Sequence, residues 1–247
     1  MLSIAIMLLS SCDPHYAQIY TVAPLKKNIS IKSDHFVFEN DTIRVDYYFW
    51  SRSGKMDFEI ANKYTKPIYI DWKKCSYIQN TSKNNYYTDE TDNEYVEVGT
   101  SSGDKTRLYG TEYNSRRSVK KGSGVSVKAE RIVFVPPGAV ISKNIYAISN
   151  RPCIVPEFRA HRDEISSDGY FFELNPVESY LTFRNYLTYS TTENFEQEQY
   201  VDNGFFVSGV RTIYNDSLRV HYYKSPMNFY HIYLDEGDIY KQHTQKL

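Results

Sequence analysis

The sequence predicts an all-β protein built as an antiparallel β-sandwich, and three observations carry that prediction. Apolar and polar residues alternate with a period of two along much of the chain. The alternating runs are short and end at turn residues. Almost no long amphipathic helix interrupts them. Composition agrees, since the 247 residues include 24 Tyr and 13 Phe, rings that suit a pleated, half-buried surface. A closed barrel is the alternative, because alternation does not say whether edge strands meet.

The chain opens on an uncharged apolar run in which Ile4 to Leu9 is too short to span a bilayer yet suits a signal peptide. The tetrapeptide Leu9-Ser10-Ser11-Cys12 that closes it resembles the lipobox of bacterial lipoproteins. That resemblance implies a signal peptide over residues 1–11 and acylation of Cys12, with acyl chains anchoring the protein at about 0.8 kcal/mol per buried methylene. The run lacks the usual Lys or Arg before it, a departure from the pattern. The expected location is the cell envelope, facing periplasm or exterior, with the outer membrane preferred over the inner one. Asp13, directly after the cysteine, nevertheless resembles an inner-membrane retention signal of enterobacteria. Residues 12–34 carry Pro14, Pro24 and Lys26-Lys27 without periodicity and are expected to be a lipidated tether. A single domain is expected over residues 35–247.

Within that domain Ile43, Val45, Tyr47 and Phe49 alternate with Arg44, Asp46, Tyr48 and Trp50, and Ser51-Arg52-Ser53-Gly54 ends the run as a hairpin turn. Met56, Phe58 and Ile60 continue the pattern on the return strand. Ile68, Ile70 and Trp72 form the next, with Pro67 at its start, where a missing ladder N–H matters least. Residues 80–124 break the pattern as a long polar excursion. Acidic residues (Asp89, Glu90, Asp92, Glu94, Glu97) come first and basic ones (Arg116, Arg117, Lys120, Lys121) last, which predicts a protruding two-stranded segment; disorder is the alternative. Strands resume over 125–135, stop at Pro136-Pro137-Gly138 and resume over 139–148. A helical turn is expected near Phe158, His161, Arg162 and Ile165. Further strands are expected over 180–189, 204–214, 218–222 and 228–234.

The runs Phe58-Glu59-Ile60-Ala61-Asn62-Lys63, Pro67-Ile68-Tyr69-Ile70-Asp71-Trp72 and Phe134-Val135-Pro136-Pro137-Gly138 resemble an immunoglobulin-like pattern found in uncharacterised envelope lipoproteins of Gram-negative bacteria. The resemblance implies an immunoglobulin-like sandwich and an envelope location; it implies no activity.

Charge excludes one class of partner. Lys and Arg total 29 against 30 Asp and Glu, so no general attraction to nucleic acid is expected. With Cys12 acylated, Cys75 and Cys153 remain as a candidate disulfide in an oxidising compartment, the alternative being two separately buried thiols. Neither has a second cysteine or a histidine at zinc-ligand spacing, and no metal or cofactor is expected. The acidic run 89–94 is not an EF-hand loop. Cys153 with His161, or the carboxylates Glu157, Asp163 and Glu164, would supply an envelope hydrolase only if folding converged them. The better lead is aromatic: Tyr86, Tyr87, Tyr95, Tyr109 and Tyr113 sit in polar sequence with little core to cover them and form a candidate binding surface. The leading expectation is therefore a lipid-anchored, non-catalytic interaction or structural module of the envelope. A glycan-binding lipoprotein is the second reading, and a hydrolase with a site between Cys153 and Glu164 the third.

Overall fold

The structure, a computed structural model, describes residues 16–87, 130–153, 161–162, 170–214 and 217–233. Their strands lie in a unit formed by residues 1–87 and 131–247, from which residues 88–130 separate as a unit of their own. In chain order they are β1 (Tyr16–Pro24), β2 (Ile29–Lys32), β3 (His35–Glu39), β4 (Ile43–Tyr47), β5 (Lys55–Asn62), β6 (Ile68–Asp71), β7 (Ser76–Gln79) and β8 (Ser82–Asn85). After the gap come β9 (Ile132–Val135), β10 (Val140–Ala147), β11 (His161–Arg162), β12 (Tyr170–Glu173), β13 (Thr182–Ser190), β14 (Glu198–Tyr214), helix α1 (Ser217–Tyr222) and β15 (Asn228–Tyr233). The architecture is all-β, as expected.

Two antiparallel sheets pack in a sandwich-like arrangement. The smaller has the order β10-β5-β4-β3-β2, in which β2 to β5 form an up-and-down meander. Local chemistry sets its turns. Ser33 and Asp34 both take positive φ, 49° and 65°, between the paired Lys32 and His35, the backbone that a two-residue hairpin requires and that Asp tolerates. The larger sheet is organised around the 17-residue β14, which pairs with β1 on one edge and with β13 and β12 on the other. Strand β13 in turn carries β7 and β6; β15 extends the sheet beyond β1, and β9 lies beyond β6.

Aromatic rings fill the space between the sheets. Phe36, Tyr47, Phe49 and Phe58 from the smaller sheet and its flank meet Phe183 and Phe205 from the larger, with ring centroids 4.9 Å apart for Tyr47 and Phe205 and 5.4 Å for Phe49 and Phe183. All six are at most 1 % exposed. At roughly 1.5–3 kcal/mol per buried large apolar side chain, this cluster is a principal source of stability.

Three expectations are corrected. The tether expected over residues 12–34 is instead largely strand, since β1 sits between β14 and β15 and β2 edges the smaller sheet. Ala17, Gln18, Ile19 and Tyr20 are all buried, so β1 is covered on both faces and shows no alternation to read. The strand expected at 218–222 is helix α1, whose Val220 joins Ala17, Ile19 and Ile213 in a second small core on the outer face of the larger sheet. The polar excursion does not begin at residue 80: Asn80, at φ 51°, turns β7 into β8. The rest of the excursion, 88–124, lies outside the described residues, as do residues 125–129 of the strand expected over 125–135. So does most of the region around the expected helical turn, of which His161–Arg162 forms a two-residue strand.

Candidate functional site

The surroundings of the two described cysteines bear on whether either could act as a nucleophile. Cys75 and Cys153 are both buried and are not bonded to each other, the arrangement of the alternative with two separately buried thiols. Each is engaged in a different part of the fold. The Cys75 sulfur accepts from the backbone N–H of Thr188 at 3.2 Å. Cys153 is held through its backbone by the side chain of Gln18. Gln18 Nε2 donates to Cys153 O at 2.8 Å, and Gln18 Oε1 accepts from Cys153 N–H at 2.8 Å. The amide thus imitates a strand partner. Tyr20 joins it, its hydroxyl donating to Gln18 Oε1 and accepting from the same N–H. Burial pushes both thiols up to about 12, opposed at Cys153 by a bond with Tyr180 and at Cys75 by the Thr188 backbone. A nucleophilic thiolate needs the reverse environment.

The other candidates divide. Tyr86 is not a surface residue: it is 6 % exposed, its ring lies against Phe58, Trp72 and Tyr146, and its hydroxyl donates to Asn185 Oδ1 at 3.0 Å. The hairpin β7–β8 folds it back into the core, which its polar sequence neighbours conceal. Tyr87 is half-buried against the same core. Tyr95, Tyr109 and Tyr113 lie outside the described residues, as do Cys12, Glu157, Asp163 and Glu164.

Residues absent from that set build a different aromatic face. Alternation along β13 and β14 sends every second side chain outward. Registry pairs Tyr186 with Asp202, Thr188 with Tyr200 and Ser190 with Glu198, while Ser190 also opposes Tyr69 and Tyr69 opposes Phe134. On the outer side of the larger sheet this brings the Tyr186 and Tyr200 rings to 5.8 Å at an interplanar angle of 30°, and Tyr69 and Phe134 to 5.8 Å. Tyr200 is 57 % and Phe134 52 % exposed.

Paired charges border these rings. The Tyr200 hydroxyl donates to Glu198, which also takes Lys74. Lys74 and Tyr200 hold the Glu198 carboxyl below its usual range, and Glu198 in turn raises the Tyr200 hydroxyl. On the other side Arg184 makes a two-pronged contact with Asp202, at 2.9 and 2.7 Å, and Lys26 adds a third bond at 2.9 Å. Burial works to raise Asp202, but these partners outweigh it and the carboxyl is lowered.

The underside is fixed by a buried polar network. Asn185 and Asn203 both donate to the Tyr47 hydroxyl, at 3.2 and 2.8 Å, and Tyr86 bonds Asn185 from the other side. Tyr47, Asn185 and Asn203 are fully buried. Asn185 lies between Arg184 and Tyr186, and Asn203 follows Asp202, so the strands that carry the outer face are pinned from within.

The sequence holds this face, but not its signal. From Glu198 to Asn203 only Val201 and Asn203 are buried and Gln199 is exposed, so polar residues occupy both sides and no apolar alternation marks the strand. Among the described residues no group of three or more His, Cys, Asp and Glu is arranged to hold a metal ion, and no helix is long and apolar enough to cross a membrane. Comparison of the chain with protein-family models, with curated proteins and with solved structures gives no match.

Proposed function

We propose that the protein is a lipid-anchored, non-catalytic binding module of the cell envelope, tethered through Cys12 and working through the outer face of β13 and β14. The observation that carries this reading is the exposed Tyr200, bonded to Glu198, with the half-buried Tyr186 ring beside it on strands pinned from within. Rigid rings give contact area at low entropic cost, and a surface pre-set in this way loses little on binding. A hydrolase centred on Cys153 is less well supported, because that thiol is buried and its backbone is engaged by Gln18 and Tyr20.

Site-specific photo-crosslinking in cells tests the proposal. A benzophenone side chain in place of Tyr200 is expected to capture one defined adduct, while the same group in place of Val177, which is 94 % exposed, captures none. Equal capture at the two positions counts against the face. The anchor is tested separately: Cys12→Ala is expected to abolish labelling by a palmitate analogue, and persistent labelling contradicts the lipid assignment.

A further inference from the structure

We infer that the ligand of the Tyr186–Tyr200 face is an uncharged, hydroxyl-rich saccharide, a step that rests on the proposed reading of that face. Two features select this chemistry. The first is the pair of rings, 5.8 Å apart and tilted by only 30°. A pyranose presents a flat array of C–H bonds, and the exposed Tyr200 ring, with the half-buried Tyr186 ring beside it, gives such an array an apolar surface to stack on. The second is the state of the neighbouring charges. Lys26 and Arg184 are both joined to Asp202, and Lys74 is joined to Glu198. An anionic or cationic ligand would have to compete with these bonds. Sugar hydroxyls need only fixed donors and acceptors, and the ion pairs supply both at the ring edges.

The same pairs argue against a protein occupant. Side chains of Arg184 and Lys74 are 41 % and 45 % exposed, and that of Lys26 is 50 % exposed. A protein large enough to bury both rings would also strip water from these charges, a cost that interfaces avoid by keeping charge at their rims. A saccharide lying along the two rings leaves the outer sides of the ion pairs wet. The Tyr200 hydroxyl is already committed to Glu198, so it is not offered to a ligand. Stacking, rather than the phenol group, is what Tyr200 contributes.

Affinity electrophoresis of the full-length lipoprotein in detergent, through gels containing dextran, mannan, xylan, glucomannan or polygalacturonate, tests this. At least one neutral polysaccharide is expected to retard the wild type. Tyr186→Ala and Tyr200→Ala are each expected to weaken that retardation by about tenfold in Kd, with unchanged thermal unfolding, whereas Val177→Ala retains it. Retardation by polygalacturonate alone, by none of the five, or equally in Tyr200→Ala overturns the inference. If no glycan retards the protein while the benzophenone at position 200 captures a protein, the binding face stands and the saccharide assignment falls. If neither a glycan nor an adduct is found, both fall.

Discussion

Single residues settle several questions that patterns leave open. Gly54 takes φ 63°, and a Cβ placed there would lie 2.8 Å from Cγ of Phe229. Gly54→Ala therefore combines left-handed strain with a clash against β15, and is expected to cost at least about 2 kcal/mol in urea unfolding. His231 is 6 % exposed, packs its ring edge-on to Tyr20, and has no hydrogen-bond partner at Nε2. Burial, with Arg52 nearby, pushes it down to about 4 from 6.5, partly opposed by the Ser149 backbone. The folded state thus prefers the neutral ring. Its contribution is complete above about pH 6.5 and is lost as pH falls toward 4, by roughly 3 kcal/mol. His231→Phe is expected to flatten the pH dependence of the urea midpoint between pH 7 and 4.5; an unchanged slope contradicts this. Tyr86→Ala, read from the sequence as a binding variant, is expected instead to destabilise by about 3–5 kcal/mol through the loss of a core ring and its bond to Asn185. Its polar neighbours Asn84 and Asn85 disguise a core residue. At this scale the sequence is least legible, because burial of one side chain depends on which hairpin folds it back.

Elements with one wet face were readable, and those with two dry faces were not. β5 shows clean alternation, with Met56, Phe58, Ile60 and Asn62 buried, and the Pro136-Pro137-Gly138 turn stands where it was expected, with Gly138 at φ 73°. β1 fails the same test because it is buried on both sides. A six-residue segment such as Ser217–Tyr222, with apolar residues only at Leu218, Val220 and Tyr222, suits either strand or helix until its neighbours are known. Edge strands carry their own device. Lys143 on β10 pairs with the buried Phe58, so it points inward, and its ammonium lies 4.4 Å from the Trp72 ring centroid. Burial lowers its pKa. An inward lysine on an edge strand disfavours pairing with another chain, which matters here because Val140 and Ile145 on the same strand are 55 % and 49 % exposed. Lys143→Met is accordingly expected to stay folded but to self-associate in sedimentation velocity; a strictly monomeric variant sinks the idea.

Over the whole molecule, the centre of the larger sheet is assembled from the two ends of the described chain, β1 against β14 and β15. Removing residues 16–24 as a dispensable tether is expected to abolish folding, because β14 and β15 would each lose a partner and the small core around Val220 would lose Ala17 and Ile19. The antiparallel, all-β character was legible from alternation and turn chemistry, whereas sheet order was not, since pairs such as Gln18 with Thr212 lie 194 residues apart. The same long-range closure explains why the stretch that sequence singled out for chemistry is built differently. Cys153 is drawn under Gln18 and Tyr20, which come from the other end of the chain, and is thereby buried, while the aromatic face proposed for binding forms on β13 and β14.

The claim that the protein binds rather than catalyses is tested most directly by timed alkylation of the native protein, with the peptides containing Cys75 and Cys153 quantified by mass spectrometry. The expected result is negligible modification of both thiols at neutral pH, rapid modification of both after unfolding, and no disulfide between them. Fast, selective alkylation of native Cys153 would reveal an accessible thiolate and contradict the account.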